Sequence, residues 1–443
     1  MKIEATGESV LTKLRSILVL GLLFAASASA DLVIDVEGVA QPTPVAIVPF
    51  GWQGNGAAMP LDVTRVIVDD LRRSGRFAPI GEDKMLQKPT DGVDVDFQDW
   101  SFVGVEAVVV GKVLQTADNQ FTLQFQLFDV FGQQQLVGFR MPNVTRATMR
   151  GAAHRAADMI YEKLTGIKGV FGTRVAYVTA KQQGNGRLYS LIVSDQDGYN
   201  EHTIMESNDP IMSPAWSPDM RQLAYVSFEG NKSSIWVQTL RTGNRFSVSS
   251  KPGINGAPSF SPDGRKLVVT LGGVDGNLDI YVLDINSRQS TRLTTHRAID
   301  TEGSWSPDGR YIYFTSDRSG GPQVYRIAAT GGTPERVTFE GSFNARPRLS
   351  PDGTKLAMVH NDRGNYRIAV MDLERKDLIV LSTGRQDESP SFAPNSDSLI
   401  YATRQGRNGV LETVSADGLI RQKLAARAGG DVREPVWSPF PRF

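Results

Sequence analysis

Over the C-terminal two thirds of the chain, apolar and polar residues alternate in short runs. Residues 223–227, 267–271, 311–316, 356–360 and 399–403 each read as a strand, rich in β-branched and aromatic side chains. A second strand follows after a short loop at 235–240, 280–285, 323–328 and 367–373. Ahead of each first strand stands a turn phrase, Pro-x-aromatic-Ser-Pro-Asp-Gly. It is complete around Phe260 and recurs in whole or part around Trp216, Trp305, Leu349, Phe392 and Trp437. Its second prolines, Pro218, Pro262, Pro307, Pro351, Pro394 and Pro439, lie 44, 45, 44, 43 and 45 residues apart. In this phrase Pro pre-sets φ, Asp bonds nearby N–H groups and Gly relieves strain, so the repeated signal is a tight turn.

A period near 44 residues with several short strands per repeat predicts the blades of a β-propeller. A helical solenoid would need apolar residues three and four apart, which these runs lack. Residues 174–179 resemble a first strand without a phrase before it, and the phrase at Trp437 has no strand after it. Pairing the two halves completes six blades and leaves no free edge around the ring.

The N-terminal part has a different pattern. Residues 45–50 read as a buried strand, 61–74 as an amphipathic helix, 105–114 and 121–130 as strands, and 146–164 as a second helix. Val63, Val66, Ile67 and Leu71 keep helical spacing, and Gly75 follows as a stop. The expected organisation is multidomain, α/β plus all-β. A small α/β domain over 31–165 and a glycine-rich junction over 166–173 precede a six-bladed propeller over 174–443, closed by the C-terminal strand.

Residues 1–30 carry the pattern of a cleaved signal peptide: Lys13 and Arg15, an apolar run over 17–26, and the small residues Ala28 and Ala30. The run is too short to span a bilayer core. Export with a mature chain starting at Asp31 is expected, and no other stretch is apolar enough to cross a membrane.

The chain balances 48 Lys and Arg against 48 Asp and Glu, which gives no electrostatic footprint for nucleic acid. It contains no Cys, which rules out disulfides, thiolate metal sites and a cysteine nucleophile. A cysteine-free exported protein fits the bacterial periplasm.

Motifs for chemistry are sparse. His154, His202, His296 and His360 show no metal-ligand spacing and are expected at the surface or rim. There is no Gly-x-Ser-x-Gly nucleophile elbow and no phosphate-binding loop. Asp195, Asp197 and Gly198 read as a hairpin turn rather than a calcium loop. No cofactor, metal or catalytic residue is assigned. Carboxylates paired across a propeller channel leave a periplasmic hydrolase or a glycan-binding propeller open as the alternative class.

What varies within the constant repeat is the pair of residues just before the phrase. These are Met212 and Ser213, Gly256 and Ala257, Thr301 and Glu302, Ala345 and Arg346, Glu388 and Ser389, and Arg433 and Glu434. Equivalent positions in each blade should ring one mouth of the channel. A fixed ring with individually chosen side chains is how repeat proteins build a recognition surface.

These features resemble the TolB family, the periplasmic component of the Tol-Pal envelope system. The resemblance spans nearly the whole mature chain. It runs from 31–36 at the start through Leu164 to Gly169 at the junction, the stretches 193–200, 211–219 and 255–264, and Trp437 to Pro439. It implies a non-enzymatic, monomeric adaptor that binds the peptidoglycan-associated lipoprotein Pal at the propeller mouth. By motif position the Pal site would be Asn255, Gly256, Ala257, Thr301 and Glu302, with Asp387 and Glu388. The resemblance further implies a TolA-type inner-membrane protein as partner of an N-terminal segment, here Asp31, Leu32, Val33, Ile34, Asp35 and Val36. That segment alternates like an edge strand. The implied role is support of outer-membrane integrity and of envelope constriction in cell division. Ile254 stands where some members of the family have His.

Overall fold

The computed structural model describes residues 34–36, 41–56, 58–273, 276–424 and 429–441. The expected leader and Asp31, Leu32 and Val33 lie outside these residues.

The N-terminal domain is built on a six-stranded mixed sheet. Thr43–Ile47 lies inside it, one strand from the edge, parallel to Phe77–Pro79 on one side and to the central strand Ala107–Ala117 on the other. Ala107–Ala117 then continues antiparallel into Gln120–Asp129 and Gln134–Val144, and the short strand Gly51–Gln53 also pairs with it. Helices α1 (Val63–Arg73) and α3 (Met149–Thr165) cover one face. They bury Val63, Ile67, Leu71, Ala156 and Ile160 against Val45, Ile47, Val109 and Phe125. Between them in sequence, α2 (Phe97–Phe102) covers part of the other face, with Trp100 against Val108, Val110 and Phe128. The helical spacing of the apolar residues in α1 is therefore the spacing of its core contacts. Its start is fixed by the Asp62 side chain, which accepts the Arg65 N–H at 3.0 Å. The last strand, Gln134–Val144, and α2 were not predicted. The strand carries Gly138 and Pro142 and is mostly exposed, so it lacks an apolar alternation, and α2 is only six residues long.

Six antiparallel sheets form the propeller, each of four strands, with the sixth carrying a fifth strand. The first blade is closed as expected: Asp431–Trp437, from the C-terminus, pairs with Arg174–Gln183. That strand and Ile211–Trp216, Asn255–Phe260, Asp300–Trp305, Asn344–Leu349 and Glu388–Phe392 touch one another successively around a closed ring, so they line the channel. The extra strand is Ile34–Val36, paired antiparallel with the outermost strand of blade 6, Ile420–Leu424.

The residues before each turn phrase are part of the innermost strand of each blade. Pro, Gly and Ser at these positions mask the strand pattern, because channel strands are short and interrupted by a bulge.

The turn phrase works through side chains as much as through proline. Ser306 Oγ donates to Asp308 at 2.5 Å and accepts the Tyr311 N–H at 2.9 Å, while Asp308 also accepts the Arg310 N–H at 3.0 Å. The same triangle recurs at Ser217 and Asp219, Ser261 and Asp263, and Ser350 and Asp352. The hydroxyl of Ser306, ahead of the backbone N–H and the Arg310 guanidinium, holds the Asp308 carboxyl at about 2. Ser306→Ala removes the buried hydroxyl that accepts a strand N–H in this turn. The expected loss is about 1–2 kcal/mol of unfolding free energy, measured by urea denaturation.

Candidate binding site at the propeller mouth

Each innermost strand carries the same irregularity. Its register with the second strand slips once, between Met212 and Ala215, Gly256 and Ser259, Thr301 and Ser304, Ala345 and Arg348, Glu388 and Ser391, and Arg433 and Val436. Within each slip one non-glycine residue takes a left-handed φ: Ser213 (53°), Ala257 (47°), Glu302 (58°), Arg346 (56°), Ser389 (56°) and Glu434 (51°). Left-handed backbone is unfavourable for a residue with a Cβ, and six such positions in register persist only because the blades over-determine them.

The bulges link neighbouring blades. The Arg346 N–H of blade 5 donates to Glu302 Oε2 at 3.1 Å and to Thr315 Oγ1 at 3.0 Å, both on blade 4. The Glu302 N–H donates to Thr270 Oγ1 of blade 3 at 3.2 Å. The Ser213 N–H of blade 2 donates to Glu434 of blade 1. The side chains complete the crown. Arg346 Nε meets Glu302 Oε1 at 2.7 Å, its Nη1 bonds the Ser389 hydroxyl of blade 6, and its Nη2 reaches Glu434 Oε1 at 3.7 Å across the channel. One guanidinium therefore ties four blades together. Burial opposes its charge, but Glu302, Glu434 and Glu388 outweigh that and raise its pKa. Burial pushes the Glu434 carboxyl up, against Arg346 and the Ser213 N–H.

A cavity of about 470 Å³ opens beside this crown, over blades 4 to 6 and the closing strand. Thr301, Glu302, Asp387 and Glu388, all expected site residues, line it, with Arg346 and Arg433 of the ring and the edge-to-face pair Phe343 and Tyr366, whose ring centroids lie 5.0 Å apart. The wall thus combines an aromatic shelf with charged groups of both signs, a composition suited to a protein partner.

The expected residues do not all play one part. Thr301 and Glu388 are half-buried and face the cavity. Asn255 is fully buried, accepting from the Ser249 hydroxyl at 2.6 Å and donating to the Lys251 carbonyl at 2.7 Å. Asp387 is buried as well, bonded to the hydroxyls of Ser382 and Thr403 at 2.5 Å each and to the Gly384 N–H at 3.0 Å. These two hold loops and strands at the rim. Gly256 and Ala257 belong to the bulge of blade 3, away from that cavity, and Ile254 beside them is exposed. Phe343 and Tyr366 were missed because they lie outside the repeated pair positions. Arg346 stood in the ring, and its charge opposite Glu302 and Glu434 was the available signal.

The expectation for the histidines is corrected in part. His154 and His360 are buried, not surface or rim residues, because each ring bonds a polar partner: Asp70 at 2.6 Å and Asn344 at 2.9 Å. The turn at Asp195, Asp197 and Gly198 is a hairpin turn as read. Among the described residues, no helix is long and apolar enough to cross a membrane.

The described residues thus form a small α/β domain in front of a closed six-bladed ring with a charged and aromatic mouth. Family models agree on both parts: the TolB amino-terminal domain matches residues 32–136 and the TolB beta propeller domain matches residues 161–441. The Tol-Pal system protein TolB of Xanthomonas oryzae is 48% identical over 421 residues, covering 94% of this chain and 95% of that protein. The protein of the same name from Xanthomonas campestris is 49% identical over 412 residues, 92% and 93% of the two chains. The crystal structure of TolB from Acinetobacter baumannii superposes with a TM-score of 0.84 at 41% identity, covering 92% of this chain and all of that one. The chain belongs to the TolB family.

Proposed function

We propose that this chain is a periplasmic adaptor of the Tol-Pal system, which binds the peptidoglycan-associated lipoprotein Pal at the propeller mouth and does no chemistry of its own. The observation that carries the reading is the crown of six bulged strands, because it holds an individually chosen side chain from every blade at one rigid mouth. Family membership supplies the system, and the mixed-charge, aromatic wall of the cavity suits a protein surface. The carboxylates Glu302 and Glu434 are committed to Arg346 and to backbone N–H groups, which suits a scaffold better than an acid and base pair.

The N-terminal segment, Asp31 to Val36, is proposed to engage a TolA-type inner-membrane protein. Ile34–Val36 is extended and paired along one edge of the blade 6 sheet, a backbone form that also serves strand addition to a partner. The two contacts together would link the outer and inner membranes and support envelope integrity and constriction during division.

Calorimetric titration of residues 31–443 with the soluble domain of the same organism's Pal tests the reading. Saturable binding is expected, weakened about fivefold, or roughly 1 kcal/mol, by Thr301→Ala. A folded protein that shows no binding overturns the Pal assignment. Deleting residues 31–36 is expected to abolish capture by the TolA-type domain while leaving the Pal titration unchanged.

A further inference from the structure

The tightest cluster of ionisable groups lies away from the mouth, where the N-terminal domain meets the first blade. Asp70 and Arg73 come from α1, Arg150, His154 and Asp158 from α3, and Asp195 and Asp197 from the turn that ends the strand Gly186–Asp195 of the propeller. Asp70, His154 and Asp197 are buried. His154 Nδ1 bonds Asp70 Oδ2 at 2.6 Å, and its Nε2 faces Asp197 Oδ2 at 3.7 Å without a hydrogen-bond partner of its own. Arg73 pairs with Asp70 and lies 3.4 Å from Asp197 Oδ2. Arg150 pairs with Asp197, approaches Asp195 Oδ2 at 3.8 Å and stacks 3.8 Å from the Tyr199 ring centroid.

Asp70, His154 and Asp197 offer ligand atoms within 4.8 Å of one another, a spacing that could hold a metal ion. Two guanidiniums already occupy the same carboxylates, so a metal cation is repelled there. The charges instead point to a proton. His154 lies between the buried carboxylates of Asp70 and Asp197, so a second proton places a cation between two anions and gives Nε2 an acceptor, while Arg73, Arg150 and, at Asp195, Arg174 supply the permanent positive charge. Losing that proton leaves the two carboxylates without the cation between them, out of water, which is costly.

We propose that His154 is a proton-loaded latch between the N-terminal domain and the propeller, closed while its imidazolium bridges Asp70 and Asp197 and loosened when it deprotonates. Burial works against the imidazolium, but Asp70 and then Asp197 outweigh it and raise its pKa above the ordinary 6.5. One helical turn on, Asp158 accepts the N–H groups of Phe171 and Gly172 at 2.7 and 3.0 Å, and burial still lifts its carboxyl to about 7. Both groups therefore bind a proton more tightly in the folded state than in the unfolded one. The His154 contribution is full below 6.5 and is lost as pH rises through its higher folded value, while that of Asp158 fades between 3.8 and about 7. Both make the domain junction tighter at mildly acidic pH and looser on the alkaline side.

The test uses residues 31–443 with labelled histidines. Only four histidines exist, so each imidazole is resolvable by NMR, and the signal lost in His154→Gln identifies this one. It is expected to titrate above 6.5 and to move down in Asp197→Asn, which removes the propeller-side charge at constant shape. That shift also identifies the signal should His154→Gln fail to fold. Hydrogen exchange across 65–75, 149–158 and 195–200, corrected for intrinsic rates, is expected to speed about fivefold between pH 6 and pH 8.5. The increase should be absent in His154→Gln or, if that variant does not fold, shifted to lower pH in Asp197→Asn. A His154 midpoint at or below 6.5 overturns the proposal. So does an exchange profile that is flat, or whose pH dependence is the same in every protein.

Discussion

A chain ended before Asp431 is expected to yield no folded propeller, and Trp437→Ala to lose about 3–5 kcal/mol, the usual cost of truncating a large buried aromatic. The segment Asp431–Trp437 is the channel strand of blade 1, and Ser438 beyond it exchanges two backbone-directed bonds with Arg174, at 2.8 and 3.0 Å. Trp437 is nearly buried between the first and last blades. Its indole N–H donates to Thr173 Oγ1 at 2.7 Å and its backbone N–H to Ser391 Oγ at 2.9 Å. Removing the strand exposes the edges of blades 1 and 6 together and leaves Val175, Tyr177 and Ile400 without cover. Circular dichroism and urea denaturation check both statements. A truncated chain that unfolds with the same midpoint as the full one would show that the ring does not depend on this closure.

The propeller could be read from sequence because its signals are local and repeated. The Ser-Pro-Asp-Gly turn closes its own hydrogen bonds within five residues, so six copies of the phrase, whole or partial, at a near-constant period suffice to count the blades. Helix α1 was visible for the same reason, since Val63, Ile67 and Leu71 face one core. What could not be read depends on partners far along the chain. Asn255 and Asp387 look like loop polar residues and are buried because particular carbonyls, hydroxyls and N–H groups surround them. His154 looks isolated, yet its partners Asp70 and Asp197 stand 84 residues before it and on the far side of the domain junction. The left-handed crown escaped notice because none of its six residues is glycine, the one residue type that announces such a backbone.

Arg346→Ala is expected to cost about 2 kcal/mol of stability, less than the loss of a fully buried pair because the site is partly open to water. It should also weaken the proposed Pal binding more than tenfold. The guanidinium is the cation that pairs directly with both Glu302 and Glu434, with Arg348 and Arg433 farther out in the same field and Glu388 adding to its acidic side. Without it three half-buried carboxylates lose that direct partner at one mouth, and their repulsion acts on blades 1, 4 and 6 together. Arg346→Lys keeps the charge but not the fork that reaches both Glu302 and Ser389, so it should fall between the wild type and the alanine variant. The decisive comparison is Arg346→Ala with Glu302→Gln. If repulsion between unpaired carboxylates causes the loss, the second change restores part of the stability that the first removes, a coupling that urea denaturation of the four proteins measures directly. Strictly additive losses would mean that Arg346 acts through packing alone, and the crown would then be a steric collar and not an electrostatic one.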